Sequence, residues 1–564
     1  MRATKPWHRA GAVNYAWARV RGILRPPVTV HPPGSHLRVD RDVAIRMPDG
    51  VVLRANVYRG AWEAPAPVIL CAHPYGKDAT PANSRSGRRI NFQFRMLRQP
   101  EPVRISSETS WEAPDPDWWT AQGYAVVNLD VRGAGTSGGR GAVLSDQEAV
   151  DIAAVIDWIA EQPWCDGNVG MLGVSYLAIS QYKVAALQPA ALRAIVPWEG
   201  FSDAYRDLFR PGGVRELGFS TMWTTITRRT TRQSVDIGAQ VRSRRLDDEW
   251  WRSLAPDLER IRVPMLVCGS FSDNNLHSRG SMRAFARTSS AERHLYTHRG
   301  GKWATFGGED ARSAQKAFLD RHLKRADSPP LPAVRLEIRD RGDHVVAIRD
   351  EHEWPLARTQ WTRFALAERE GAGVLTSSDV TDGSATFAAR REALSFRHIF
   401  ERDTEVTGPV SAELWASCSG GRDLQLFVGV SKESGGRFVP FEGSYGFGRD
   451  LVTTGWQDAG FRDQSNSDSH IPDHDYRTRH LIRPGEIVRV RIELGPSATQ
   501  FRKGDALNFH VSGRQLSPRN PLTGAFPGIY RSSPRGARYT IHWSAEHPSH
   551  LVVPIIPVGT RDHS

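Results

Sequence analysis

Cysteine is scarce in this chain. Cys71, Cys165, Cys268 and Cys418 are scattered over 564 residues and form no CxxC pair. Such spacing argues against a disulfide framework and against structural zinc. Cys71 and Cys268 fall inside apolar runs, where a free thiol behaves as a small hydrophobe. Long apolar runs are also missing, and none approaches the ~20 residues of a membrane-spanning helix. The opening MRATKPWHRAGAVNYAWARVRGILRPP is basic, without a continuous apolar core or a small-residue cleavage site. A cytosolic protein is therefore expected. With Trp7, Tyr15, Trp17 and Ile23 among arginines, this arm (1–37) reads either as an amphipathic surface helix or as a segment packed on the body. Net charge is +12, but 74 Lys and Arg are interspersed with 62 Asp and Glu. No zinc-finger or RNA-binding signature accompanies them, so no nucleic-acid partner is expected.

What the chain does have is length enough for more than one core. From about residue 38 to 326, near-continuous apolar runs close on polar or Gly positions: PVILCAHPY (67–75), YAVVNLDVRG (124–133), NVGMLGVSY (168–176), LRAIVPWEG (192–200) and VPMLVCGSFSD (263–273). Strands buried on both faces of a parallel sheet look like this. Helical stretches lie between them. In DQEAVDIAAVIDWIAEQP (146–163), Ala149, Ile152, Ile156 and Ile159 keep to one face. The fold class is α/β, a doubly wound domain with its ligand site at the carboxyl ends of the strands. Residues 77–114 read as a polar loop insertion, and the aromatic-rich helical pattern at 203–258 as a cap over the strand ends. DSPPLPAV (327–334) marks a boundary. Beyond it, from 335 to 564, the period falls to two: Val488, Val490, Ile492 and Leu494 alternate with Arg489, Arg491 and Glu493. An all-β sandwich is expected there.

Gly173-Val174-Ser175-Tyr176 joins a buried strand to the helical SYLAISQYKVAAL. A serine on such a strand–turn–helix corner is lifted clear of the sheet, and the N–H of the next residue faces any oxyanion formed on it. Gly173 keeps the tight turn uncrowded. With MPDGVVLRANVYRG (47–60), HPYGK (73–77), GYAVVNLDVRGAGTSGG (123–139) and EQPWCDGNVGMLGVSY (161–176), the sequence resembles the cocaine esterase/X-Pro dipeptidyl-peptidase-like serine hydrolases, α-amino-acid ester hydrolases among them. The resemblance covers nearly the whole chain from about residue 38. It implies an α/β-hydrolase core, a helical cap, a C-terminal jelly roll and acyl transfer to water through a Ser–Asp–His triad. Ser175 would be the nucleophile, and the Tyr75 hydroxyl with the Tyr176 N–H the oxyanion hole. Asp273, ending VPMLVCGS, matches the triad acid, which fixes the histidine tautomer. Asp130 also ends a strand but reads as part of a structural turn, paired with Arg132. Relatives carry Gly two residues after the elbow Tyr, where this chain has Ala178.

The general base is less plain. Relatives carry G-P-W-x-H after the last strand, and counting through LYTHRGGKWATF (295–306) puts Lys302 at that histidine's place. His298 lies just upstream. An imidazole near its usual pKa of about 6.5 suits the role better than a lysine, which would need a shift of about three units that Asp273 would oppose. Gly300-Gly301 would let the loop turn His298 toward the site. His298 is the expected base, with Lys302, another histidine or an inactive site as the alternatives; His277 reads first as a loop or cap contact, and His73 as a pocket or underlying residue.

Trp198, Phe201 and Tyr205 are expected to line the substrate pocket. Ester hydrolysis is the leading reading, on a small-molecule ester or amide. An X-Pro dipeptidyl-peptidase or amino-ester hydrolase would need a carboxylate for the substrate ammonium, and Glu199 is the candidate. A degenerate hydrolase whose β domain binds a ligand is the non-enzymatic alternative. No cofactor or metal is called for: the histidine-rich DQSNSDSHIPDHDYRTRH (463–480) lacks regular ligand spacing. Self-association into a homo-oligomer is compatible with all of these readings.

Overall fold

The computed structural model describes residues 1–557 apart from 3–4, 6–10, 82–89, 91–93, 96–102, 343, 379–380, 446–448, 467–468 and 518–527. Part of the 77–114 segment thus lies outside the described residues. Its described portion contains a strand, Val103–Ser106, paired in parallel with Val28–His31.

The apolar runs form one twisted sheet. Arg38–Arg46 and Val52–Arg59 pair antiparallel, and Val52–Arg59 runs antiparallel to Ala125–Asp130. From there the order is parallel: Ala125–Asp130, Ala66–His73, Cys165–Val174, Leu192–Trp198, Met265–Ser270, Arg293–His298 and Val334–Arg341. Every residue of Ala66–His73, Ala125–Asp130 and Met265–Ser270 is buried, because helices cover both faces. The helix Asp146–Ala160 buries Ala149, Ile152, Ile156 and Ile159, and the Ser145 hydroxyl caps it by accepting the Glu148 N–H at 3.2 Å. The helix Tyr176–Leu187 is buried nearly all round, Gln181 and Lys183 included, which donate to the Leu177 and Leu144 carbonyls.

Between Leu192–Trp198 and Met265–Ser270 the chain leaves the sheet as a helical excursion. It comprises Ala204–Phe209, Phe219–Thr230, Ile237–Ser243 and Glu249–Leu254. Its rings pack among themselves: Tyr205 and Phe209 each lie 5.4 Å from Trp251. In the N-terminal arm, Ala12–Leu24 is a helix. Tyr15 and Arg19 are buried against the body, while Val13, Trp17 and Leu24 face outward.

Beyond residue 334 the strands are mainly antiparallel. Thr404–Ser419 pairs with Val488–Phe501, with Arg538–Trp543 and with His550–Ile556, and Gln425–Ser434 with Thr453–Asp458 and Ala506–Ser512. Val488, Val490, Ile492 and Leu494 point into a core with Phe501, Phe509 and Trp543. In the 463–480 segment the three histidines go to separate partners: His470 stacks on Trp361, His474 Nε2 bonds the Arg491 carbonyl, and His480 pairs with Asp463. All four cysteines are free and buried.

Candidate active site

Ser175 sits between Cys165–Val174 and Tyr176–Leu187 with φ 58° and ψ −113°, a left-handed backbone that a non-glycine residue adopts only under constraint. The constraint is visible. The Ser175 N–H donates to the Trp198 carbonyl at 3.0 Å, while its own carbonyl accepts the N–H groups of Ala178 and Ile179. A Cβ on Gly173 would lie 2.4 Å from the Leu177 Cβ, so the turn closes only with glycine there. Ala178 fits because it faces Gly200: a Cβ on Gly200 would stand 2.7 Å from the Ala178 Cβ. The Ala178 methyl group is thus accommodated by the missing side chain of Gly200 on the opposite segment.

Ser175 Oγ lies 3.2 Å from His277 Nε2, and His277 Nδ1 lies 2.5 Å from Asp273 Oδ2. Both partners come from one tight turn after the strand Met265–Ser270. The N–H groups of Leu276, His277 and Ser278 all close on the Asp273 carbonyl, and the i, i+4 spacing brings carboxylate and imidazole to one side. The Nδ1–H donates to Asp273, so the Nε2 lone pair faces the serine. Phe201 stacks on the imidazole at 6.2 Å and 14°.

His298 does not join them. Its Nδ1 accepts the Gly300 N–H at 3.2 Å, which fixes the proton on Nε2, and Nε2 donates to Glu199 Oε1 at 3.0 Å. Both ring nitrogens are spent, and the expectation that His298 serves Ser175 is corrected to His277. The glycines after His298 turn the backbone onto its own ring instead of turning the ring toward the serine.

Lys302 stands behind the pair. Its ammonium donates to Asp273 Oδ2 at 2.7 Å, lies 2.8 Å from His277 Nδ1, and is 3.6 Å from Glu199 Oε2. Burial pushes Asp273 up, but Lys302 and His277 outweigh it and hold the carboxyl well below the usual range. Burial pushes Lys302 down, and Asp273, Tyr445 and Glu199 outweigh it, keeping it an ammonium with no lone pair to offer as a base. Burial and the Lys302 charge both lower His277, so the imidazole is neutral at pH 7. The β domain closes this network: Ser444 donates its hydroxyl to Glu199 Oε2, accepts the Lys302 N–H on its carbonyl, and Tyr445 lies under the Lys302 ammonium at 5.1 Å.

Glu199, His298 and Cys268 bring three donor atoms within 4.8 Å. Lys302 already supplies the counter-charge to Glu199, and burial keeps the Cys268 thiol protonated, so the donor set is poor for a metal.

At the oxyanion side, the Tyr75 ring lies 6.0 Å from that of Tyr176, and the Tyr75 oxygen accepts Trp223 Nε1–H at 3.0 Å. The Tyr176 N–H is engaged by a residue that sequence reasoning missed: it donates to Glu112 Oε2 at 3.1 Å. Two pocket expectations also change. Trp198 and Tyr205 are wholly buried, the first against Tyr296 and Phe306 and the second against Trp251, so neither offers surface to a substrate. His73 is buried beneath the site on Asn128. Asp130 binds the Lys77 and Thr136 N–H groups, and Arg132 pairs with Asp151 and Asp49 rather than with Asp130.

The family model described as X-Pro dipeptidyl-peptidase (S15 family) matches residues 49–301, and that of the X-Pro dipeptidyl-peptidase C-terminal non-catalytic domain matches 329–552. The cocaine esterase of Rhodococcus sp. (strain MB1 Bresler) is 28% identical over 92% of this chain and 98% of its own. A crystal structure of a CocE/NonD family hydrolase from Staphylococcus aureus superposes with a TM-score of 0.85 at 30% identity, covering 92% of this chain and 94% of that one. The chain belongs to the cocaine esterase/X-Pro dipeptidyl-peptidase-like serine hydrolases, the CocE/NonD family. An α-amino acid ester hydrolase structure, at 17% identity and a TM-score of 0.69 over 92% of this chain and 97% of that one, shares the fold. The sheet described above is thus an α/β-hydrolase core followed by a C-terminal non-catalytic domain. The protein is a serine hydrolase of a family that acts on esters. Among the described residues no helix is long and apolar enough to cross a membrane.

Proposed function

We propose that the protein hydrolyses carboxylic esters of small molecules through an acyl-enzyme on Ser175, with His277 as general base and Asp273 as the residue that orients it. The observation that carries this reading is the continuous chain of contacts Ser175 Oγ–His277 Nε2 and His277 Nδ1–Asp273 Oδ2, at 3.2 and 2.5 Å. The Ser175 proton passes to Nε2 as Oγ bonds to the ester carbonyl carbon, and the carbonyl electrons move onto oxygen. When they return, the C–O bond to the alcohol breaks and Nε2–H gives its proton to the leaving oxygen. Water, deprotonated by the same nitrogen, then releases the acid and restores the serine. Tyr75 and the Tyr176 N–H are the oxyanion donors. Because Trp223 donates to the Tyr75 oxygen, the Tyr75 O–H is free to point at the substrate.

The catalytic domain in this reading spans 38–326 with a cap at about 203–258, and the C-terminal domain, 335–564, is a jelly-roll sandwich. Esters are favoured over X-Pro peptides because Glu199, the carboxylate nominated for an ammonium group, is wholly buried. Its oxygens are held by His298, Ser444 and Lys302. A panel of p-nitrophenyl esters beside Ala-Pro and Gly-Pro anilides, run with wild type and Ser175→Ala, tests the assignment. Turnover of esters only, with stoichiometric fluorophosphonate labelling that disappears in Ser175→Ala, is expected. Anilide hydrolysis exceeding ester hydrolysis, or unlabelled Ser175, would reverse it.

A further inference from the structure

Glu112 is the residue of this site that the triad leaves without a task. It is buried, and its backbone has φ 65°, a left-handed conformation held by the Val174 N–H donating to its carbonyl at 3.0 Å. Backbone strain of this kind at a residue whose side chain reaches the nucleophile elbow marks a position fixed for a reason. One carboxyl oxygen accepts Trp111 Nε1–H at 3.0 Å, and the other accepts the Tyr176 N–H at 3.1 Å. The indole that holds it is itself clamped by Trp303 at 4.3 Å and Phe94 at 4.8 Å. The donor that a tetrahedral oxyanion needs is therefore shared with a carboxyl group in the resting enzyme.

An ionised carboxylate there would set two negative charges within hydrogen-bonding distance in a buried site, which would raise the barrier instead of lowering it. A neutral carboxylic acid has an O–H to give. We propose that Glu112 acts as a neutral acid at the oxyanion hole, covering the Tyr176 N–H when no substrate is bound and donating its own O–H to the oxyanion as Ser175 attacks. No proton leaves the carboxyl in this step: the O–H of Glu112, the N–H of Tyr176 and the O–H of Tyr75 converge on one oxygen. This role rests on the ester-hydrolase reading above.

The surroundings favour the neutral form. Burial pushes the Glu112 carboxyl up to about 8, against the pull of Lys302 and the Tyr176 N–H. The other ionisable groups around it are the hydroxyls of Tyr75 and Tyr445, the Glu148 carboxyl across the Tyr176 side chain, and His277 beyond Ser175. Burial raises both tyrosines, and the Lys302 ammonium is held protonated, so these do not titrate near pH 8; burial pushes the Glu148 carboxyl up to about 7, and the Glu112→Gln profile separates its titration from that of Glu112. The acid is needed protonated, so activity is present below its pKa and falls as pH rises through it.

The test is the pH profile of kcat/KM for a neutral p-nitrophenyl ester, with fluorophosphonate labelling of Ser175 as a separate readout of the triad. Wild type should lose activity on an alkaline limb near pH 8. Glu112→Gln, which keeps a neutral donor of the same shape, should retain turnover within about tenfold and lose that limb while keeping the acid limb. Glu112→Ala should lower kcat about 10²-fold, as loss of an oxyanion donor does. A Glu112→Gln profile that keeps the wild-type alkaline limb would overturn the proposal. So would a Glu112→Gln defect confined to esters bearing an α-ammonium group, which would make the residue a substrate anchor. Failure of wild-type Ser175 to label would instead refute the triad.

Discussion

Two buried histidines stand at the same sheet edge, one on the turn after Met265–Ser270 and one at the end of Arg293–His298, and they do opposite jobs. The strands are paired, with His298 opposite Ser270, so the two rings belong to neighbouring elements. His277 has one nitrogen on a carboxylate and the other on a hydroxyl. His298 has one on a backbone N–H and the other on a carboxylate. The difference lies in which nitrogen is left with a lone pair and what it faces. A Gly300 N–H at Nδ1 dictates the His298 tautomer and removes it from base chemistry, while Asp273 at Nδ1 leaves the His277 Nε2 free to accept a proton. Burial alone, common to both, does not distinguish them.

The largest expected effect breaks this comparison directly. His277→Ala should lower kcat/KM for ester hydrolysis by about 10⁴-fold or more, since a triad loses most of its advantage when its base is removed. Steady-state kinetics reads it, and a loss below tenfold would return the base to another residue. A medium effect sharpens the comparison through pH. After burial, the Lys302 charge is what lowers His277, so Lys302→Gln should raise the His277 pKa. The base must be neutral, hence the acid limb of kcat/KM should move to higher pH, with activity lost earlier as pH falls. A limb unmoved or shifted the other way would mean that Lys302 does not act on the imidazole. His298→Gln, which keeps a donor to Glu199, should cost less than about tenfold in kcat/KM with an unshifted acid limb. The smallest effect concerns the elbow. Gly200→Ala sets a methyl against Ala178 and should cost about 1–3 kcal/mol of stability. Ala178→Gly in the same chain should recover part of it, and strict additivity of the two in thermal unfolding would deny the contact.

Much of the sheet was legible because strands buried on both faces leave continuous apolar runs, and the strand–Gly-x-Ser–helix pattern located Ser175. Asp273 was readable from its place at a strand end. His277 was passed over because the family pattern drew attention to the loop after Arg293–His298, although the signal lay in D-N-N-L-H: a carboxylate and an imidazole four apart on a turn leaving a catalytic strand. The pocket residues Trp198 and Tyr205 misled because an aromatic near a catalytic edge can face either the cleft or the core, and composition does not say which. Glu112 left no trace, since it lies in a segment without periodicity and reaches Tyr176 only through a backbone conformation that sequence does not announce.

The most direct test of the account is the rate at which a fluorophosphonate modifies Ser175 in His277→Ala and His298→Gln, followed side by side by intact mass. The prediction is that the His277 variant stays essentially unmodified over the time in which the His298 variant labels fully. Full labelling of the His277 variant beside an inert His298 variant would contradict it.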